Sequence, residues 1–401
     1  MNLLNEIAER YPAAISFAAG RPTEEHFDFA DLSRYLGLYR DYLVRDKGYS
    51  DAQVNRELMQ YGRTKGVIND LVARNLLVDE GITADPESIV VTVGCQEAMV
   101  LVLRALRAGP QDVVLAVAPT YVGLTGAARL LDMPVLPVRD GAGGIDLDDL
   151  LAQVRGARAA GLRPRALYLV PEFANPSGVS LDVPTRRRLL EIASAEDFLV
   201  LEDNPYGLFH RRGERPPTLK ALDTDRRVVY LGSFAKTAVP GARVGYVVAD
   251  QPVGSGVLAD ELGKLKSMLT VNTSPIAQAV VGGKLLEHGC SLVAANVREA
   301  AIYRRNMDLM LAGLGRFSDV TWTAPDGGFF VVLTVDFRVD DALLEHSAAR
   351  YGVVWTPMHH FYGGTGGFNQ LRLSCSAVTG AEISQGLDRL AALVTDVRRG
   401  V

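Results

Sequence analysis

Cysteine is almost missing from this chain of 401 residues. There are three, Cys95, Cys290 and Cys375, far apart and odd in number. They build no disulfide framework and lack the paired spacing of a zinc site, so no metal is expected and a reducing cytoplasm fits best. Excess positive charge is missing too. The formal net charge is −5, from 42 Lys and Arg against 47 Asp and Glu, so no nucleic-acid partner is expected. The one basic triplet, Arg186-Arg187-Arg188, follows a helix-start signal and precedes Leu189-Leu190; it reads as a solvated helix face. Charges and prolines interrupt every apolar stretch before membrane-spanning length, and no membrane partner is expected. Met1-Asn2-Leu3-Leu4-Asn5 lacks the basic opening of a secretory leader, so the expected location is cytoplasmic.

What is present is a long, ordinary globular composition, with 48% hydrophobic and 22% charged residues. Such a length favours two domains over one core. From about residue 65 to 290, short Val/Ile/Leu-rich runs alternate with longer amphipathic stretches. Strands are expected at 88–93, 113–118, 135–138, 166–170, 198–201, 228–231 and 244–248. Their lack of polar alternation marks strands buried on both faces, and helical patterns such as 96–107 and 185–196 lie between them. The fold class is therefore α/β, around a mainly parallel sheet. From about 300 onward the pattern changes to α+β: a helix at 300–314, a strand at 329–333, a helix at 341–351, a strand at 371–375 and a helix at 380–398. The expected division is an N-terminal segment 1–45 that joins a smaller domain, a large domain 46–295, and the rest of the smaller domain at 296–401.

In open α/β sheets ligands sit beyond the carboxyl ends of the strands, and the chemically notable residues follow predicted strands. Gly94-Cys95-Gln96 opens a helix, either an ordinary turn or a phosphate-binding N-terminus. Tyr121 either packs in the core or stacks on a heteroaromatic ring. Asn175-Pro176-Ser177-Gly178 is either a turn or the carrier of an amide that donates to a phenolate oxygen. Asp203 ends a buried strand and needs a positive partner, such as a protonated pyridine nitrogen, unless it caps the next helix. Arg372 lies within an apolar strand and needs an anion, either an internal carboxylate or a substrate's α-carboxylate.

The segment Ser233 to Arg243 carries most information. Lys236 stands three residues after Ser233 and seven before Arg243, in an apolar stretch punctuated by Gly and Pro. A lysine forms an imine with an aldehyde, while an arginine fork and a hydroxyl hold a phosphate. Aldehyde and phosphate on one small molecule describe pyridoxal 5'-phosphate. Lys236 would also move the α-proton as general base and acid.

With these residues in place, the chain resembles the fold-type I, class I/II pyridoxal-phosphate-dependent aminotransferases along nearly its whole length. It is most similar to the branch of 2-aminoadipate and kynurenine aminotransferases and the aminotransferase-like domains of MocR regulators. The motifs run in the family's order: Ala18-Ala19-Gly20-Arg21-Pro22, Tyr61-Gly62, Gly94-Cys95-Gln96, Tyr121, Asn175-Pro176-Ser177-Gly178, Asp203 with Tyr206, Ser233 to Gly245, Gly327-Gly328-Phe329 and Arg372. The resemblance implies an aspartate aminotransferase-like fold, with a seven-stranded sheet in the large domain, and transfer of an amino group between an L-amino acid and a 2-oxo acid. It implies that Lys236 is the Schiff-base lysine, Asp203 the partner of the ring nitrogen and Tyr121 the stacking aromatic. Asn175 and Tyr206 would face the ring hydroxyl, and Gly94, Cys95, Gln96, Ser233 and Arg243 would cup the phosphate. Tyr61 would reach the phosphate of a neighbouring subunit, which implies a homodimer with shared sites. Gly20, Asn175 and Arg372 would meet the substrate, and Arg21 is a candidate for a second substrate carboxylate, unless it pairs with Glu24 or Glu25.

Some positions depart from the family. Ala235 stands where many relatives carry serine, leaving the phosphate cup one hydroxyl short. Pro357-Met358-His359-His360-Phe361-Tyr362 replaces a Pro-Gly turn, and its histidines either shape side-chain recognition or belong to a solvated loop. The same cofactor residues also serve lyases, decarboxylases and amino-acid oxidases. A non-catalytic effector-sensing domain would need a winged-helix domain, for which no room is expected before Ser16. An Ala/Arg/Gly-rich style fits specialised bacterial pathways to non-proteinogenic amino acids.

Overall fold

The computed structural model describes residues 6–7, 9–141, 143–211 and 213–400. The leader reading falls on residues 1–5, outside the described residues. Seven strands form the main sheet: β1 (Ile89–Val93), β2 (Asp112–Ala118), β3 (Val135–Arg139), β4 (Arg163–Leu169), β5 (Leu199–Asp203), β6 (Val228–Ser233) and β7 (Val244–Val248). Their order is β1-β7-β6-β5-β4-β2-β3. All pairings are parallel except those of β7, which runs antiparallel to β1 and to β6. The mainly parallel α/β sheet is thus present, with edges within a few residues of those expected.

Helices cover both faces of this sheet, which is why its strands are apolar throughout. Gly94–Leu106 packs Ala98, Met99 and Val102 against Val90, Val114 and Leu201. On the other side Val183–Ala195 places Leu189 and Ile192 against Leu167 and Val200. That helix starts where Asp182 accepts from Thr185 N at 2.8 Å, a side-chain N-cap. Its basic triplet departs from the sequence reading. Arg187 and Arg188 are exposed, but Arg186 is fully buried. It sits one turn before Leu189, on the core-facing stripe, and is neutralised by Glu172. Its remaining donors reach the carbonyls of Leu181 and Pro217, at 2.9 Å for Nη2 and Nη1 respectively.

A second, four-stranded antiparallel sheet runs Thr321–Trp322, Phe330–Thr334, Gln370–Ser374, Thr356–Pro357 in spatial order. Val331, Leu333, Leu371 and Leu373 meet Met307, Met310, Ile383 and Leu387 from the helices Val297–Leu314 and Gly380–Arg399. Ile15–Ser16 pairs in parallel with Val353–Val354, tying the N-terminal segment to this part of the fold. The expected helix at 341–351 is α-helical over Asp341–His346 and continues as one π-helical turn to Tyr351. Among the described residues, no helix is long and apolar enough to cross a membrane.

Candidate active site

Side-chain alternation on β5 separates two adjacent carboxylates. Glu202 turns to the backbone, accepting from Leu219 N at 2.8 Å and Lys220 N at 2.7 Å. Asp203 turns the other way. Its Oδ2 accepts from the Tyr168 hydroxyl at 2.6 Å, and its Oδ1 from the Cys95 thiol at 3.6 Å. Burial raises its pKa to about 6, against the downward pull of those two hydrogen bonds. Asp203 therefore caps no helix. It is a buried acceptor without a cationic partner among the described residues.

Lys236 follows β6 in a loop anchored by the buried Phe234, whose N–H donates to Val244 O at 3.1 Å. Its Nζ donates to Gly20 O at 2.7 Å. Burial, and then the charges of Arg243 and Arg372, lower its pKa to about 8. An amine so placed loses its proton within reach of neutral pH, as a nucleophile or a base must.

Arg243 stands at φ +53°, in the left-handed region, and is held over the start of helix Gly94–Leu106. Gly94 has φ +69°, and a Cβ there would lie 2.6 Å from Arg243 Nη2. The left-handed backbone and the nearby guanidinium both favour glycine at this position. The first N–H groups of a helix have no intrahelical acceptor, so guanidinium and free donors together make an anion cradle. Ser233 Oγ accepts from Ala235 N at 3.3 Å and is the hydroxyl of this corner. Gln96 is partly engaged, donating through Nε2 to Gly123 O at 2.8 Å.

Arg372 is buried on Gln370–Ser374 and has no carboxylate partner among the described residues. Nη1 donates to Asn175 Oδ1, and Nη2 to Ala18 O at 2.7 Å and Thr356 Oγ1 at 3.1 Å. Nε is buried without a partner. The guanidinium carbon lies 4.3 Å from the Phe330 ring centre and 5.1 Å from that of Phe361. Burial lowers its pKa to about 10, so the group stays cationic at neutral pH. A buried cation with a spare donor is built to receive an anion.

One cavity of about 450 Å³ joins these groups. Lys236, Asp203, Cys95, Gln96, Tyr121, Asn175, Tyr206, Ser233, Arg243, Gly20, Arg21 and Arg372 all line it. Burial raises the Tyr121 phenol to about 12, so it is a neutral ring at working pH, and burial raises the Tyr206 hydroxyl as well. Gly20 packs flat on Phe330: a Cβ there would lie 2.6 Å from its Cζ. Arg21 has no ion-pair partner among the described residues, so neither Glu24 nor Glu25 claims it, and it also lines an adjoining surface cleft. Tyr61 is outside the cavity and 84% exposed. Neither His359 nor His360 lines the cavity; the buried residue of their turn that does so is Phe361.

Three residues of this site escape sequence reasoning: Tyr168, Phe330 and Phe361. Each reads as one more core aromatic on a strand or turn, and no local signal distinguishes it. For a pyridine ring bearing an aldehyde and a phosphate, the donor set fits. A buried carboxylate, a neutral aromatic face, a deprotonatable amine and an anion cradle share one cavity.

A family model described as aminotransferase class I and II matches residues 43–390. The chain is 60% identical over 400 residues, 98% of its length and 91% of the relative's, to (S)-3,5-dihydroxyphenylglycine transaminase of Amycolatopsis orientalis. It is 31% identical over 384 residues, 94% of the chain and 89% of the relative, to 2-aminoadipate transaminase of Thermus thermophilus. The α-aminoadipate aminotransferase of Thermus thermophilus, solved with N-(5'-phosphopyridoxyl)-L-leucine, superposes with a TM-score of 0.82 at 29% identity, covering 100% of this chain and 96% of that one. Kynurenine aminotransferase of Pyrococcus horikoshii gives 0.86 at 28% identity, covering 99% and 94%.

Proposed function

The chain belongs to the class I and II aminotransferases, and we propose that its particular substrate is a hydroxylated arylglycine or the matching 2-oxo acid. It is a pyridoxal-phosphate-dependent enzyme with the aspartate aminotransferase-like fold, moving an amino group between an amino acid and a 2-oxo acid. The observation that carries the substrate reading is the 60% identity, along nearly the whole chain, to a transaminase named for (S)-3,5-dihydroxyphenylglycine. The cavity supports it. Phe330, Phe361 and Tyr121 offer aromatic walls, and Arg21 and Gln96 offer donors for phenolic oxygens.

Bound pyridoxal phosphate supplies an aldehyde for an amine and a ring that takes up electron density from the substrate's α-carbon. We propose the following residue roles, which the shared cavity supports. Lys236 Nζ would be the amine for the aldehyde and the base and acid for the substrate's α-proton. Asp203 Oδ1 and Oδ2, steadied by Cys95 and Tyr168, hold a proton on the ring nitrogen. Arg243, Ser233 and the N–H groups at Gly94, Cys95 and Gln96 would hold the phosphate. Asn175 gives its oxygen to Arg372, which leaves its amide nitrogen and the Tyr206 hydroxyl to orient the ring oxygen. Arg372 would receive the α-carboxylate, with Gly20 beside it, and Tyr121 would offer its face to the ring.

The working form is proposed to be a cytoplasmic homodimer in which Tyr61 serves the neighbouring subunit. Exposed Met59, Tyr61, Met268 and Leu269 favour a covered surface, and the free cysteines fit a reducing compartment. The division at residues 45/46 and 295/296 remains our proposed boundary between the two parts.

A panel of amino donors, with the cofactor's absorbance recorded after each, tests the substrate. (S)-3,5-dihydroxyphenylglycine and 4-hydroxyphenylglycine are expected to give higher kcat/KM than glutamate, 2-aminoadipate or kynurenine. An acidic or aliphatic donor that outruns both arylglycines would remove the proposal.

A further inference from the structure

Outside the cavity, three side chains with metal-binding atoms meet on the turn after Thr356–Pro357. Met358–Phe361 form one 3₁₀ turn. At 3.0 residues per turn, neighbouring side chains should leave its axis about 120° apart. His359 and His360 do not diverge in this way. Their ring centres are 4.1 Å apart. Both Nε2 atoms approach Asp341 Oδ1, at 3.4 Å from His359 and 2.7 Å from His360. Asp341 is the first residue of the helix Asp341–His346, so these side chains bring turn and helix together. The ligand atoms of all three residues lie within 4.8 Å of one another.

A second observation points to an occupant. His359 Nε2 is buried and has no hydrogen-bond partner among the described residues. Buried polar atoms are nearly always satisfied, so this one calls for an explanation. Its 3.4 Å separation from Asp341 Oδ1 makes no good hydrogen bond. Two ligands each about 2.0–2.1 Å from a tetrahedral cation would stand roughly 3.3 Å apart, as His359 and Asp341 do, while the hydrogen-bonded His360–Asp341 pair, now at 2.7 Å, would have to open on binding. The His359 ring is also held in orientation, stacked on Phe368 at 5.3 Å with an interplanar angle of 10°. A pre-oriented imidazole is what a metal site requires.

We propose that Asp341, His359 and His360 bind one divalent transition-metal cation of the zinc class, with water completing the coordination. Two imidazoles and one carboxylate select zinc, nickel or copper over magnesium and calcium. The ion clamps the Met358–Phe361 turn to the helix Asp341–His346. Phe361 lies two residues beyond His359, with its ring 5.1 Å from the Arg372 guanidinium and its carbonyl accepting from Thr120 N at 2.8 Å. The clamp therefore holds one aromatic wall of the substrate cavity from outside, without touching cofactor or substrate.

Isothermal titration of the chelator-treated, cofactor-loaded protein with Zn²⁺ tests this, with Mg²⁺ titrated in parallel. Uptake of one Zn²⁺ per chain is expected, with no Mg²⁺ uptake. Zinc that settles on the cofactor or on Cys95 is distinguished by variants. His359→Ala with His360→Asn should lose the equivalent, and Asp341→Asn, on an exposed side chain, should weaken it roughly tenfold or more. Cobalt loading supplies a second readout, as a visible band present in the parent and absent from the double variant. No zinc uptake by the parent chain, or equal uptake by the folded double variant, overturns the proposal.

Discussion

Lys236 Nζ donates to the carbonyl oxygen of Gly20 at 2.7 Å, joining residues 216 positions apart. The lysine belongs to the loop after β6, and Gly20 follows the short strand Ile15–Ser16 that pairs with Val353–Val354. The contact closes the cavity between the two sheets. It also gives the ammonium an acceptor, while burial and then the charges of Arg243 and Arg372 favour loss of its proton. Under the proposed role, removing the amine removes the group that moves the α-proton. Lys236→Ala is expected to lower kcat by roughly 10²–10⁴-fold or more, as general acid–base catalysis is worth. Stopped-flow absorbance of the cofactor measures this.

Arg372→Leu keeps an apolar neighbour for Phe330 and Phe361 but deletes the anion receptor. A charge-assisted hydrogen bond contributes about 1.5–3 kcal/mol, so kcat/KM for every amino acid should fall roughly 10- to 100-fold. The cofactor should stay bound, because Arg372 is assigned no contact with it except through Asn175. Steady-state kinetics with an amino acid and with its decarboxylated amine isolate the carboxylate contact: the amino acid should lose far more than the amine.

Tyr168→Phe removes the 2.6 Å hydrogen bond on Asp203 Oδ2. That bond favours the carboxylate, so its loss should push the Asp203 pKa higher still and loosen its hold on a ring nitrogen. Cofactor release under dilution should become roughly tenfold faster, in line with a lost charged hydrogen bond. Fluorescence of released cofactor provides the measurement, and a rate equal to the parent's would remove Tyr168 from this role.

The folded-state pKa of Asp203, about 6, lies above its ordinary value of 3.8. The sign is then fixed. In cofactor-stripped protein, the stability tied to the protonated acid is complete below about pH 4 and lost as pH rises through about 6. Asp203→Asn has no such loss. Urea unfolding of stripped parent and variant should show the variant gaining on the parent from pH 4 to pH 7, and a constant difference would contradict the assignment.

Much of this architecture was legible because burial leaves a plain mark on sequence. A run such as Val-Val-Leu-Ala-Val at 113–117 has no polar alternation, and only a strand covered on both faces tolerates that. Lys236 and Asp203 were legible because a charge at the end of such a run demands a partner. Tyr168 and Phe330 were not, since their work depends on which groups other strands bring beside them. Arg186 misled for the opposite reason. Its exposed neighbours Arg187 and Arg188 set the impression, while its buried partner Glu172 lies 14 residues away.

Arg186→Leu leaves Glu172 buried without its cation. Breaking one side of such a pair costs about 3–5 kcal/mol, so the unfolding midpoint in denaturant should drop sharply. Adding Glu172→Leu should restore much of the loss, since an apolar pair of similar volume replaces a buried ion pair well. Denaturant unfolding of the single and double variants measures both.

The central claim is that this cavity transfers an amino group from an arylglycine. Mixing cofactor-loaded protein with excess (S)-3,5-dihydroxyphenylglycine, without a 2-oxo acid, tests it in one half-reaction. One equivalent of aryl 2-oxo acid per active site is expected, with conversion of the cofactor to its amine form and no free ammonia. Ammonia or carbon dioxide released over many turnovers, with the cofactor left as the aldehyde, would contradict it.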